Sequence, residues 1–281
     1  MPEAVEQNPA RTVDLGAYAR RIGYDGRLEP TLDTLRALHR LHPFAIPFEN
    51  LTTLLGVSPR LDLEALEEKM VHADRGGYCF EHNRLFAGVL EALGFDVTGL
   101  AARVLWERSP GTVMPRTHML LAVELSGRTY IGDVGFGGLT LTAPLLLEPD
   151  VEQPTPHEVF RLLRADAGFV LEARLQQEWR PLYWFDESEH LEIDFEVLNH
   201  FVATHPGSPF RSQLYGARAL PDRRLALRNG RLTIRGLDGS VKRRDLETVE
   251  ALRDVLTLDF GIATPEDDAV DYALASVLAA D

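Results

Sequence analysis

Hydrophobic residues recur at helical spacing in the first third of the chain. Leucines occupy positions 32, 35, 38 and 41, directly after a Pro-Thr pair. Apolar side chains at positions 86, 89, 90 and 93 form a second stripe, which ends at Gly94. Because side chains three and four residues apart lie on one face of a helix, both stripes predict amphipathic helices.

Short alternating runs of apolar and polar residues replace this pattern between residues 97 and 185. Turn sequences at residues 126–127 and 166–168 interrupt the runs, which is typical of antiparallel strands. Residues 223–235 predict another hairpin that folds at Asn229-Gly230, and helical spacing returns between Leu246 and Leu256. The predicted fold class is therefore α+β, and residues 2–11 are expected to be loosely ordered.

Composition narrows the class of protein. The chain has 45% hydrophobic and 26% charged residues, as an ordinary globular protein does. No apolar stretch approaches the about 20 residues that span a bilayer, and no signal segment opens the chain. A formal net charge of −14 argues against nucleic-acid binding. We therefore expect a cytoplasmic protein with neither nucleic-acid nor membrane partners, and its oligomeric state stays open.

The chain's single cysteine lies at the start of the second helical pattern. Residues 75–83 read RGGYCFEHN, which places Cys79 after two glycines and a tyrosine. A helix N-terminus presents free N–H groups and a partial positive charge, which stabilise negative charge on sulfur. The glycines permit positive φ angles or a close approach by another group. Cys79 is therefore a candidate nucleophile, although most lone cysteines are small buried core residues.

A histidine and an aspartate fall on a predicted hairpin downstream. If Ser126 and Gly127 are its two loop residues, the numbers of paired residues add up to 253, so that His118 faces Gly135. His118 and Asp133 are then diagonal neighbours on one face, with their Cβ atoms about 5 to 7 Å apart. Each would also serve as an ordinary strand or turn residue bonded to backbone. Together with Cys79 they form a candidate Cys-His-Asp system for nucleophilic catalysis.

Further short motifs surround these three residues. They read LGAYARRIGY at residues 15–24, LHRLH at 38–42, IPFENL at 46–51, ARV at 102–104 and DVGFGG at 133–138. With RGGYCFEHN and the Thr-His pair at 117–118, they follow one another along about half of the chain. In this succession the chain resembles the arylamine N-acetyltransferases of bacteria.

The resemblance implies a three-part fold with a core like that of cysteine proteases and transglutaminases. Residues 1–95 would form a helical bundle, residues 96–200 an antiparallel β-barrel-like domain, and residues 201–281 an α/β lid. It also implies that Cys79 accepts the acetyl group, that His118 is its activating base, and that Asp133 orients His118. The bundle would then carry the cysteine, and the barrel the other two residues.

Seven further residues are candidates for binding the two substrates. By resemblance, an aromatic acceptor pocket would be lined by Phe48, Val104 and Phe136, although core packing is the usual fate of such residues. Contacts to coenzyme A are expected from Gly137, Gly138, Phe210 and Lys242. The ordinary alternatives are a glycine-rich strand end, a capped turn with a packed phenylalanine, and a solvated basic turn.

Glu49 and Arg75 lie in the two motifs that flank the candidate nucleophile. We expect them to form a structural ion pair that braces the Cys79 turn, since an unpaired buried charge is costly. The histidines show no spacing typical of metal ligands. No metal cofactor is therefore expected.

These observations together favour acyl transfer. Acetyl-CoA would donate an acetyl group to Cys79, and an arylamine or arylhydrazine would then take it in a ping-pong reaction. The Cys-His-Asp order is also compatible with a thiol hydrolase of the papain or transglutaminase type. A related amide synthase that closes a polyketide macrolactam would share the same motifs, and a non-catalytic binding module is the third alternative.

Overall fold

The computed structural model describes residues 12–109 and 111–280, so the expectation for residues 2–11 lies outside the described part of the chain. The described residues form the predicted α+β fold. The α-helices are α1 (Leu15–Ile22), α2 (Leu32–Ala45), α3 (Leu51–Leu54), α4 (Leu63–Glu67), α5 (Cys79–Ala92), α6 (Glu192–Thr204), α7 (Val249–Asp254) and α8 (Asp268–Ala279). The strands are β1 (Phe48–Glu49), β2 (Asp96–Val104), β3 (Arg116–Leu125), β4 (Arg128–Gly132), β5 (Leu145–Leu146), β6 (Gln153–Pro154), β7 (Val159–Ala165), β8 (Gly168–Leu175), β9 (Glu178–Phe185), β10 (Tyr215–Leu220), β11 (Arg223–Arg228), β12 (Arg231–Gly236) and β13 (Val241–Asp245).

The two predicted amphipathic helices are α2 and α5. Helix α2 begins after Thr31, whose hydroxyl accepts a hydrogen bond from the Thr34 N–H at 3.2 Å. Such N-caps satisfy a backbone donor that has no partner within the helix. Helix α5 begins at Cys79 and is buried along most of its length, and it packs against β2 and β3. It is therefore the central helix of the fold.

Eight antiparallel strands form a sheet that nearly closes on itself, as the barrel-like prediction requires. Their order is β5-β4-β3-β2-β9-β8-β7-β6. The Gln153 side chain of β6 reaches Leu146 of β5, accepting from its N–H at 2.7 Å and donating to its carbonyl at 2.8 Å. One amide side chain thus links the two edge strands in place of a backbone ladder.

A second antiparallel sheet has the order β1-β10-β11-β12-β13. Its edge strand β1 comes from the first third of the chain, where Phe48 pairs with Ala217 of β10 and also bridges to Gly77. The C-terminal sheet therefore reaches the turn that precedes Cys79. The domain boundaries after residues 95 and 200 stay a prediction.

Strand β3 separates two hydrophobic cores. Met119, Leu121 and Val123 belong to the core that also contains α1, α2 and α5. Leu120 belongs to the core inside the eight-stranded sheet. Because successive side chains of a strand point to opposite faces, His118 shares the face of Leu120. A third core joins the five-stranded sheet to α7 and α8.

Four charged side chains form a network next to the start of α5. Arg75 donates to Glu49 at 2.7 Å, which confirms the predicted ion pair, and Glu49 is fully buried. Lys69 contacts Glu81 at 2.6 Å, and Glu81 in turn accepts from the Tyr78 N–H at 3.0 Å. Burial would raise the pKa of Glu49, but Lys69 and Arg75 hold it below its usual value. Burial raises the pKa of Glu81 more than Lys69 lowers it. The network therefore stabilises the ionised form of Glu49 and offsets only part of the cost of burying Glu81, two residues after Cys79.

The double glycine before Cys79 is required by close approach and not by positive φ. A Cβ atom at Gly76 would lie 2.0 Å from the Pro47 carbonyl oxygen, which is inside van der Waals contact. Gly77 also donates to this carbonyl, at 3.4 Å. The backbone on either side of this contact thus packs without room for a side chain.

None of the helices among the described residues is long and apolar enough to cross a bilayer.

We predict that Arg75→Met strongly destabilises the protein. It leaves the buried Glu49 carboxylate with the neutral Leu51 N–H, at 2.7 Å, and with Lys69 at 3.9 Å as its remaining cationic partner. The expected loss in the free energy of unfolding is about 3 to 5 kcal/mol, measured by urea denaturation. Arg60→Met is the control, since the Arg60–Asp62 pair is exposed and such pairs contribute little. Equal stability of the two variants would contradict a bracing role for Arg75.

Candidate active site

The hairpin that carries His118 has the predicted register. Leu121 pairs with Gly132 and Leu125 with Arg128, which are pairs whose numbers add up to 253. The loop residues Ser126 and Gly127 have φ angles of 53° and 71°, as a two-residue turn of this kind needs. The ladder ends at Gly132, so the pairs projected beyond it, such as His118 with Gly135, are not ladder pairs. Asp133 is therefore the first residue after β4 and lies outside the ladder.

His118 and Asp133 form the predicted contact. The imidazole Nε2 and the carboxylate Oδ2 are 2.8 Å apart, and both residues are buried. Burial alone would lower the pKa of His118, but the Asp133 carboxylate raises it to about 10. Burial would raise the pKa of Asp133, and the His118 ring holds it below its usual value instead. At neutral pH the pair is thus an imidazolium beside a carboxylate.

Cys79 lies against the same pair. It is the first residue of α5, and its sulfur lies 3.7 Å from the carbonyl oxygen of Thr117, the residue before His118. The Cys79 sulfur also contributes to the raised pKa of His118, because a sulfur that accepts a hydrogen bond from the ring favours the protonated form. Because Asp133 engages Nε2, the other ring nitrogen, Nδ1, is the one left for sulfur. The structure therefore brings all three predicted residues together from a helix, a strand and a turn.

The Asp133 carboxylate has three hydrogen-bond donors besides His118. Asn83 reaches Oδ1 at 3.0 Å, the Gly135 N–H reaches the same oxygen at 3.0 Å, and the Tyr183 hydroxyl reaches Oδ2 at 2.9 Å. Burial and the nearby carboxylate raise the pKa of Tyr183 well above its usual value, so the phenol keeps its proton and donates. Each oxygen thus accepts two bonds, which compensates a buried charge.

The sequence had not assigned roles to Asn83 and Tyr183. Asn83 follows Cys79 by four residues on α5, so helical spacing alone would have placed the two side chains on one face. It also donates to the Met119 carbonyl at 2.7 Å and accepts from the Val134 N–H at 3.0 Å. Tyr183 comes from β9, far along the chain. No local signal in the sequence indicates its contact with Asp133.

A glycine lets the turn after Asp133 approach the start of α5. A Cβ atom at Gly135 would lie 2.9 Å from the Cys79 Cα and 3.1 Å from the Cys79 carbonyl oxygen. Any larger residue would push the turn away from the helix. The absent side chain thus brings the backbone of Asp133 and that of Cys79 into contact.

The three predicted acceptor-pocket residues lie close to this centre in different ways. The Phe136 ring is 5.1 Å from the His118 ring, edge to face. Val104 ends β2 and pairs with Tyr183. Phe48 lies against Gly137, where a Cβ atom would be 3.7 Å from its ring. Their role in binding an acceptor stays a prediction.

Three of the four residues predicted to contact coenzyme A also lie on this side. The Phe210 ring is 5.7 Å from the ring of Tyr78, the residue before Cys79, and 6.3 Å from that of Phe48. Gly137 and Gly138 form a 3-10 turn after Phe136, and a Cβ atom at Gly138 would lie 3.8 Å from the Ala226 Cβ. The turn therefore packs on the five-stranded sheet.

Lys242 is placed differently. It lies on the edge strand β13, four strand spacings or about 19 Å from β1. It pairs with Ile234, whereas Arg243 pairs with Thr233, which in turn pairs with Ala226. Cross-strand partners share a face, so Arg243 is the member of the basic run on the Gly138 face of the sheet. Contact of Lys242 with coenzyme A stays a prediction.

Residues 12–109 and 111–280 contain no group of three or more histidine, cysteine, aspartate or glutamate side chains that could hold a metal ion.

Comparison with known proteins gives a consistent result. A family model described as N-acetyltransferase matches residues 31–269. The arylamine N-acetyltransferase of Mycolicibacterium smegmatis is 44% identical over 255 residues, which cover 89% of this chain and 92% of the relative. A relative from Salmonella typhimurium, named arylamine N-acetyltransferase / N-hydroxyarylamine O-acetyltransferase, is 39% identical, with 95% of both chains covered.

A solved structure matches the whole fold. The Mycobacterium marinum arylamine N-acetyltransferase in complex with CoA superposes with a TM-score of 0.90 at 41% identity, over 94% of this chain and 99% of that one. Both the sequence and the arrangement of its elements thus agree with the resemblance noted from the motifs. This chain belongs to the arylamine N-acetyltransferase family.

Proposed function

We propose that this protein transfers an acetyl group from acetyl-CoA to an arylamine or arylhydrazine through an acetyl-Cys79 intermediate. The observation that carries the proposal is the buried His118–Asp133 hydrogen bond beside Cys79, whose sulfur lies 3.7 Å from the carbonyl oxygen of Thr117, the residue before His118. A nucleophile, a base and a group that orients the base are the parts that acyl transfer needs. The names of the relatives, and the CoA bound to one of them, support the same donor and acceptor.

In the first half-reaction, the sulfur of Cys79 attacks the thioester carbonyl carbon of acetyl-CoA. The raised pKa of His118 lets the ring hold the proton that leaves this sulfur. As the new C–S bond forms and the old one breaks, the departing CoA thiolate takes that proton from His118. The step exchanges one thioester for another, so little free energy is lost in forming acetyl-Cys79.

In the second half-reaction, the amine nitrogen attacks the acetyl carbon on Cys79. His118, now neutral, takes a proton from the amine as the C–N bond forms. The C–S bond then breaks, and the Cys79 thiolate is restored beside protonated His118. Arylamines suit this step because they are weak bases that are neutral nucleophiles at neutral pH.

Asp133 would hold the imidazole in its working orientation throughout. Its bond to Nε2 leaves Nδ1 for sulfur, coenzyme A and amine in turn. Phe136 and Phe48 would present aromatic surface to the acceptor, and Gly137, Gly138 and Phe210 would contact coenzyme A. Arg243 joins Lys242 as a candidate partner for its phosphates, since Arg243 shares the Gly138 face.

The relatives' names favour transfer over the alternatives of hydrolysis and macrolactam closure. One relative's name adds O-acetylation of N-hydroxyarylamines. We therefore include an N-hydroxyarylamine among the acceptors to be tested. Acetate as the only product would instead indicate a thiol hydrolase.

We predict that acetyl-CoA without acceptor adds one acetyl group to the protein. Intact-mass spectrometry should detect the gain, and addition of an arylamine should reverse it with formation of the amide. Cys79→Ala should show no gain, because sulfur is the attacking atom. A folded protein that binds acetyl-CoA without gaining mass, or a gain that persists in Cys79→Ala, would contradict the proposal.

The Asp133→Asn variant tests whether the Asp133 carboxylate raises the pKa of the proposed base, His118. We expect the His118 ring of the native protein to remain protonated above neutral pH, as a pKa raised to about 10 requires. In the variant, the loss of the carboxylate should lower the pKa of His118, and acetylation of Cys79 should slow by about 100-fold or more. NMR titration of the His118 ring and stopped reactions read by mass spectrometry measure the two effects.

A His118 pKa near 6.5, the ordinary value, in both proteins would show that the carboxylate does not control the ring. Asparagine has nearly the size of aspartate, so the variant removes the negative charge and keeps the shape of the side chain. Tyr183→Phe is the matched comparison, because it removes one donor to Asp133 and leaves the carboxylate in place.

A further inference from the structure

The carboxylate of Asp133 is held by four donors, but its backbone is held separately. Strand β4 ends at Gly132, so the peptide N–H of Asp133 has no partner in the β3–β4 ladder. This N–H donates instead to the Nε2 atom of His39 at 3.0 Å. The Asp133 carbonyl accepts from the Thr140 hydroxyl at 3.0 Å. Side chains from outside the hairpin therefore fix both ends of this residue.

His39 comes from α2, in the helical part that holds neither His118 nor Asp133. It is fully buried. Its ring lies edge to face against Phe86 of α5, at 5.6 Å and 89°, and a Cβ atom at Gly132 would be 3.8 Å from its Cδ2. The ring is thus confined between α5 and the end of β4, with one nitrogen directed at the Asp133 peptide.

This bond determines the state of the His39 ring. A nitrogen that accepts a hydrogen bond from an N–H carries no proton, so the ring proton of His39 must be on Nδ1. Nδ1 is buried and has no hydrogen-bond partner among the described residues, so the fold leaves one ring N–H unpaired while it pairs the Asp133 N–H. The ring must also be neutral, because an imidazolium has no acceptor. Burial lowers the pKa of His39 to about 4, more than the nearby Asp133 carboxylate raises it, so the neutral form is the one present at neutral pH.

We propose that His39 is a positioning residue for the reaction. By accepting a hydrogen bond from the Asp133 N–H, it fixes the position from which the Asp133 carboxylate contacts His118. The inference rests on the proposed function, since it assigns the contact a role in acetylation of Cys79. Its physical basis is that a buried N–H without a partner is costly, so the peptide would turn to find another acceptor. A turned peptide moves the carboxylate that orients the base.

Two substitutions separate positioning from packing. His39→Leu removes the acceptor and keeps an apolar side chain. His39→Gln retains a polar acceptor at the distance of Nε2 from the backbone. We expect the leucine variant to acetylate Cys79 about 10- to 100-fold more slowly than the native protein, and the glutamine variant to recover most of that loss. Acetylation without acceptor, followed by intact mass, gives both rates.

His42→Leu is the matched control. His42 lies one turn further along α2, is equally buried, and bonds to Tyr18 and His82 rather than to Asp133. Its loss should lower stability to urea without a comparable loss in the rate of acetylation. Equal rates for native protein and a folded His39→Leu, or equally slow glutamine and leucine variants, would overturn the proposal.

A measurement on the native protein needs no variant to fold. Long-range ¹H–¹⁵N NMR distinguishes the two neutral tautomers of His39, and we expect a protonated Nδ1 and an unprotonated Nε2. A proton on Nε2 would overturn the proposal even if Cys79 is acetylated as expected. Failure of the native protein to become acetylated, with this tautomer present, would instead count against the proposed function alone.

Discussion

The proposed active site depends on one buried hydrogen bond, between the His118 imidazole and the Asp133 carboxylate. A carboxylate removed from water is costly unless every lone pair that faces the protein finds a donor. The fold meets this condition with Asn83, Tyr183 and a backbone N–H in addition to His118. The negative charge on Asp133 in turn favours the protonated form of the His118 imidazole beside Cys79.

The architecture follows from this requirement. Helix α5 supplies Cys79 and Asn83, β3 supplies His118, the turn after β4 supplies Asp133, and β9 supplies Tyr183. No single supersecondary unit contains them, so the site exists only when the helical core and the barrel-like sheet are packed together. Strand β3 is the shared element, since its two faces belong to the two cores. Stability and chemistry thus depend on the same interface.

A second group of charged residues surrounds the start of α5, where Cys79 lies. The network of Glu49, Arg75, Lys69 and Glu81 pairs each buried carboxylate with a cation, and Glu81 accepts a hydrogen bond from the Tyr78 N–H. It acts on the start of α5, whereas His39 acts on the backbone of Asp133. In the proposed mechanism, the network would position the nucleophile and His39 would position the carboxylate.

The sequence predicted the parts of this site that depend on local geometry. A two-residue loop was enough to bring His118 to Asp133, because strand register follows from loop length. The Glu49–Arg75 pair followed from motifs and the cost of a buried charge. Tyr183 was not predictable, because β9 pairs with β2 by a long-range contact that leaves no periodic signal. Lys242 shows a different limit, since a basic run does not reveal which of its members shares the Gly138 face.

The most direct test of this account is a crystal structure of the protein exposed to acetyl-CoA in the absence of an acceptor. We expect electron density that continues from the Cys79 sulfur into an acetyl group, with the His118 Nε2 still in hydrogen-bonding contact with Asp133. An acetyl group on another residue, or an imidazole turned away from the carboxylate in the acetylated protein, would contradict the account.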